Sequence, residues 1–261
     1  MSESRNLAAI SCHHQPGKIS RVACHECGLA PLCLPLSLTD EGVSKLDSII
    51  QRSRPLQKGD YLFHQGDIFD SVFAIRTGSI KSYTITDSGQ EQITGFYLPT
   101  ELAGLSGLNC FTYPVSAVAL ETTSVCAIPY IRLEKLFDEL PALRQQVMHS
   151  MSKELRDYQD MMLVMGQKSA EARIATLLVN LSMRFKRLGF SAHHFRLSMS
   201  RNEMGNYLGM AVETVSRVFT RFQKQGLLRV EGKDVEILQP AALSTMAGSS
   251  VSTMQEQRAS H

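Results

Sequence analysis

The chain has 261 residues and a net charge of +2, with 43% of its residues hydrophobic and 20% charged, a balance that excludes a disordered or fibrous protein and leaves room for one large domain or two medium ones. No stretch approaches the roughly 20 apolar residues of a bilayer span, and the opening MSESRNLAAI lacks the basic start and apolar core of a secretory signal. A cytoplasmic location is therefore expected, where thiols stay reduced and clustered cysteines serve metals rather than disulfides.

In chain order, residues 1–36 read as a leader. Its first twenty residues look unstructured, and CHECGLAPLC then places Cys24, Cys27 and Cys33 within ten residues. That spacing by itself leaves an iron–sulfur site and a zinc site both open, the latter completed by His25 or His13. Residues 37–139 open with a short helix that Thr39 can cap, with Val43, Leu46, Ile49 and Ile50 on one face. From Pro55 to Pro129 short β-rich runs are punctuated by Gly59, Gly66, Gly78 and Gly89, which predicts a small barrel or jelly roll.

Residues 140–168 predict one long helix. Met148, Met151, Leu155, Tyr158, Met162 and Met165 recur at alternating spacings of three and four, the a/d seam of a coiled coil, and so predict a homodimer. Gly166 marks a hinge to the next domain.

Residues 169–240 begin with a helix whose apolar stripe is Ile174, Leu177, Leu178, Leu181 and Phe185. Ser200 and Glu203 then form a capping box, Gly209 stops a short helix, and a second helix runs from Val212 to Gln225, a helix-turn-helix pattern. The alternating LLRVEGKDVEIL turns at Gly232 like a hairpin wing, and residues 241–261 are expected to be an unstructured tail.

From Lys168 to Gly226 there are ten basic residues against three acidic ones, so this stretch carries +7 and the remainder −5, the footprint of a polyanion-binding domain. On the second helix Val215, Val218, Phe219 and Phe222 form the apolar face. Glu213, Ser216, Arg217, Thr220 and Arg221 lie opposite, where Arg217 can fork onto guanine and Glu213 can accept from cytosine. Thr214 joins this set, and Arg201 at the start of the first helix is assigned a phosphate. The partner is thus double-stranded DNA. No nucleotide-binding glycine loop or catalytic constellation suggests an enzyme.

Leader, β-roll, long helix and winged helix-turn-helix, an α+β arrangement, resemble the Crp/Fnr superfamily of bacterial transcription regulators over nearly the whole chain. Its cyclic-nucleotide branch holds a phosphate in the roll with an arginine beside a serine. Here Val115 precedes Ser116, and no Lys or Arg occurs between Gly95 and Leu120. A buried phosphate without a counter-charge is too costly, so no cyclic nucleotide is expected. The stretches CHECGLAPLCLPLSL, LETTSVCAIP, RTGSIKSYTITDSGQEQITGF and MGNYLGMAVETVSRVFTRFQ resemble instead the oxygen-responsive fumarate-nitrate branch, and its anaerobic regulators in particular.

That resemblance implies an oxygen-labile [4Fe–4S] cluster on Cys24, Cys27, Cys33 and Cys126, with Cys12 and Cys110 spare. It implies a dimer that forms when the cluster is intact, reads a TTGAT-N4-ATCAA palindrome through Glu213, Ser216 and Arg217, and works with RNA polymerase. The rival readings are zinc at the cysteines, a haem in the roll on His64, and a redox iron–sulfur protein.

Overall fold

The structure, a computed structural model, describes residues 22–248. Cys12, His13, the expected disorder before residue 21 and the end of the predicted tail lie outside them. The leader winds through three short 3-10 turns, Cys24–Glu26, Ala30–Leu32 and Leu34–Ser37. Helix α1 (Asp40–Ile49) follows, where Thr39 accepts from the Gly42 amide at 3.3 Å and Val43 and Leu46 are buried.

Eight strands build the roll: β1 (Gln51–Arg52), β2 (Tyr61–Phe63), β3 (Ser71–Thr77), β4 (Ile80–Ile85), β5 (Glu91–Tyr97), β6 (Leu102–Ala103), β7 (Ser116–Ala119) and β8 (Ser124–Pro129). They form two antiparallel sheets, ordered β1-β8-β3-β6 and β2-β7-β4-β5. Apart from the β4–β5 hairpin, sequence neighbours are split between the sheets, the jelly-roll arrangement that the short strands predicted. Ile75, Ile80 and Val125 from both sheets share one buried cluster.

Helix α2 (Tyr130–Glu139) leaves β8 directly and α3 (Pro141–Gln167) follows, with Pro141 in its first turn, where no amide is missed. Gly166 does not end α3; the chain straightens at Lys168. Ser169 caps α4 (Ala170–Arg187) by accepting from Ala172 N at 3.3 Å.

After β9 (His194–Arg196), α5 (Arg201–Leu208) starts with both halves of the Ser200–Glu203 capping box. Gly209, at φ +62°, turns the chain into α6 (Val212–Lys224). Gly205 is needed for another reason: a Cβ there would meet the Met210 carbonyl at 2.6 Å, so α5 and the turn could not close. Strands β10 (Leu228–Glu231) and β11 (Asp234–Ile237) form the hairpin around Gly232, and β9 adds a third strand absent from the sequence reading. The predicted tail is corrected at its start. Residues Pro240–Met246 form α7, with Leu243 fully buried and the Ala247 carbonyl accepting from Lys168 Nζ at 2.6 Å. Leu243 and Ala247 supply the apolar contacts that outweigh a weakly patterned stretch.

The C-terminal unit is docked on the roll. Asn206 of α5 accepts from Ile93 N (2.6 Å) and donates to Glu91 O (2.7 Å), both on β5, while Phe96 meets Tyr207 edge-on at 5.0 Å. Beside them Glu101 is clasped by Arg184 of α4, with Lys153 of α3 at 3.9 Å and Arg187 at 3.7 Å. Arg184 also donates to Phe96 O at 2.6 Å.

Candidate metal centre and nucleic-acid interface

Four thiols line one cavity. Cys24, Cys27 and Cys33 reach it from the corners of the leader turns, which close through Cys27 N to Cys24 O (3.2 Å), Ala30 N to Cys27 O (2.9 Å) and Cys33 N to Ala30 O (3.3 Å). Cys126 reaches it from β8, paired with Arg52 of β1 on one side and Ala74 of β3 on the other. The cavity is mostly apolar, with Leu46, Ile75 and Ile128 in its wall, and contains two guanidinium groups, Arg52 and Arg76. Cys110 is exposed and does not line this cavity.

Burial, with Asp47 hydrogen-bonded beside it, pushes the Cys24 thiol up to about 12, and burial pushes Cys33 up to about 11. Burial raises Cys126 as well, against the pull of Arg52 and Arg76. To ligate a metal these thiols would have to give up their protons, a cost that the metal–sulfur bonds must meet. Among the described residues no three His, Cys, Asp or Glu side chains gather closely enough to hold a single metal ion. The donor set still fits a thiolate-ligated cluster: four soft sulfurs, an apolar wall, cationic groups, and a buried Arg52 Nε with no hydrogen-bond partner.

Two of the histidines named in the rival readings lie among the described residues. His25 hydrogen-bonds Ser44 on α1 at 3.0 Å and is exposed. His64 stacks on Tyr61 (4.0 Å) and lies 3.4 Å from Asp67.

Helix α6 divides as its sequence predicts. Val215, Val218, Phe219 and Phe222 are buried, and Glu213, Ser216, Arg217, Thr220 and Arg221 are exposed. Thr214 is half-buried at the edge. Ser216, Arg217, Thr220, Arg221 and Lys224 share this open face of α6. Ser216 and Thr220 donate back to carbonyls one turn earlier, each at 3.0 Å. Arg217 and Lys224 have no ion-pair partner among the described residues, whereas Arg221 pairs with Glu171. Arg201, assigned a phosphate at the start of α5, is half-buried. Its guanidinium lies 3.4 Å from the centre of the Phe219 ring, and burial pulls it down to about 10.

The +7 excess was also only partly available to a polyanion. Arg184 is spent on Glu101, Arg173 donates to the Leu208 carbonyl at 2.9 Å, and Lys168 is tied to α7. Sequence reasoning missed these anchors because their partners are carbonyls or distant carboxylates, which leave no local signal.

The seam residues of α3 are not equivalent. Met148, Leu155 and Met162, seven positions apart, are 60%, 59% and 70% exposed on one line. Met151 packs on the roll, Tyr158 donates to Glu154 at 3.2 Å, and Met165 is less open. Leu163, 57% exposed, extends the uncovered face and was not among the predicted seam residues.

Comparison with known proteins agrees with this architecture. Residues 53–139 match the family model described as a cyclic nucleotide-binding domain, and residues 172–246 match the Crp-like helix-turn-helix domain. The chain is 63% identical over 225 residues to the transcriptional activator protein anr of Pseudomonas aeruginosa, covering 86% of this chain and 92% of that one. It is 48% identical over 227 residues to the fumarate and nitrate reduction regulatory protein of Escherichia coli K12, covering 87% and 91%. Among solved structures, FixK2 from Bradyrhizobium japonicum superposes with a TM-score of 0.70 at 28% identity, covering 76% of this chain and 97% of that one.

Proposed function

The chain belongs to the Crp/Fnr family of DNA-binding transcription regulators, and from that premise we propose that it is an oxygen-responsive member carrying a [4Fe–4S] cluster on Cys24, Cys27, Cys33 and Cys126. It is a regulator of transcription and not an enzyme. The observation that carries the reading is the meeting of three leader thiols and the β8 thiol in one cavity. When bound, the cluster supplies an oxygen-labile bond network between leader and roll.

The protein's own residues supply the rest. Cys33 is followed by Leu34, which packs in one buried cluster with Leu143 and Val147 of α3. A leader tied at Cys33 thereby braces the N-terminal half of α3, and the leader's position reaches the helix that presents Met148, Leu155 and Met162. Two copies joined along that line would bury apolar side chains that a single copy leaves in water. The dimer would present two α6 helices to successive major grooves roughly 34 Å apart. Arg217 would read guanine, with Glu213 and Ser216 beside it, in a TTGAT-N4-ATCAA palindrome, while Lys224 and Arg221 meet phosphates. The roll takes no cyclic nucleotide in this reading, because the position before Ser116 is Val115. RNA polymerase is the remaining partner, and the cytoplasm the place of action.

Anaerobic purification tests this. The protein should show a broad thiolate-to-iron absorption band and retain the palindrome, and air should remove both. Cys126→Ser should lose the band while Cys110→Ser keeps it. A featureless anaerobic spectrum, or operator binding equal in air and without it, would refute the proposal.

A further inference from the structure

Arg52 occupies the cavity wall in a way that four thiols alone do not require. It lies opposite Cys126 in the β1–β8 ladder, and its Nη2 donates to Cys24 Sγ at 3.8 Å. The same Nη2 is paired with Asp47 near the end of α1, and Asp47 Oδ1 also accepts from the Cys24 amide at 2.7 Å. One carboxylate thus fixes both the first cysteine of the leader and the guanidinium facing it. Arg52 Nε is buried with no hydrogen-bond partner, a costly state for an N–H on a charged group unless something in the cavity accepts from it. The ion pair with Asp47 leaves this donor unexplained.

We propose that Arg52, held by Asp47, is a positioning and charge-balancing residue for the anionic thiolate-bound cluster of this cavity. The inference rests on the iron–sulfur reading of the cavity. Four thiolates around such a core leave a net negative charge in an apolar wall. A fixed guanidinium beside Cys24 and Cys126 lowers the cost of that charge, and its free Nε–H is a donor to the occupant. Net charge and hydrogen bonds at the sulfurs set the potential and lability of such centres. Without the guanidinium, the site should hold its occupant less firmly and at a lower reduction potential.

The test uses the full-length protein, loaded anaerobically with iron and sulfide, as wild type, Arg52→Gln and Arg52→Lys. Iron and sulfide content, decay of the thiolate-to-iron band in air and midpoint potential are read, with circular dichroism of the metal-free forms as the folding check. Arg52→Gln should load without oxygen, lose its band about tenfold faster in air and show a lower potential; Arg52→Lys, which keeps the charge, should recover most of the potential. Failure of Arg52→Gln to load while Arg52→Lys loads would also support the proposal. Wild-type decay and potential in Arg52→Gln would overturn it while leaving the cluster reading intact. Equal loss of loading in both variants would reduce Arg52 to a structural tie and overturn it too. A wild type that never acquires the band refutes the cluster reading itself, and the inference with it.

Discussion

Replacing Glu101 by Gln removes one charge from the clasp that joins the roll to α3 and α4. Glu101 is 12% exposed and Arg184 17%, and Arg184 has the Phe96 carbonyl as its other partner. Breaking a buried pair from one side costs about 3–5 kcal/mol, because the remaining charge stays buried without its counter-ion. Both side chains keep some solvent, and the glutamine amide can still accept from Leu98 N, as Glu101 does at 2.9 Å. The low end, about 3 kcal/mol, is therefore expected. At about 2–4 °C per kcal/mol for a chain of this size, Tm should fall by about 6–12 °C.

The pH dependence follows from the same contacts. Burial alone would raise the Glu101 carboxyl, but Arg184 and Lys153 overcome it and hold the group below the ordinary carboxylate range. A carboxyl depressed in the folded state stabilises fully above its unfolded value and loses that contribution as pH falls through its folded value. The gap between wild type and Glu101→Gln should be full near neutrality and close in acid. Calorimetry of the metal-free protein across pH measures both. The exposed pair Lys45–Glu139, at 3.0 Å, is the control, and Glu139→Gln should leave Tm close to that of wild type. A Glu101→Gln Tm within about 2 °C of wild type, or a gap that widens on acidification, would refute the argument.

Arg217→Ala should weaken operator binding by about 1–3 kcal/mol and relax discrimination at one base pair, whereas Lys224→Ala should weaken all sequences alike and flatten the salt slope; singly substituted operators at two salt concentrations separate the two. Leu155→Asp places a charge in the middle of the uncovered line on α3, and sedimentation of the anaerobic variant should find a monomer where the parent is a dimer. Leu243 is fully buried in α7, so Leu243→Ala should cost about 2–5 kcal/mol in denaturant unfolding; a neutral result would mean that α7 is not part of the C-terminal core.

What the sequence determined by itself was what short-range chemistry encodes. The Ser200–Glu203 box, the positive φ at Gly209 and the division of α6 into a buried and an open face depend on residues within a turn of one another, so their spacing is sufficient. The same holds for the three leader cysteines. The match of Cys126 to them came from resemblance, since nothing local ties β8 to the leader. Tertiary structure decided which charges are free. Arg184 and Glu101 are 83 positions apart, and only the docking of α4 on the roll turned a basic residue of an apparent DNA footprint into a buried clasp. The register of β1 on β8 set Arg52 beside Cys126, and packing on the C-terminal core made a helix of Pro240–Met246. These outcomes depend on burial and long-range pairing, whose energies belong to the folded arrangement and to no short stretch of chain.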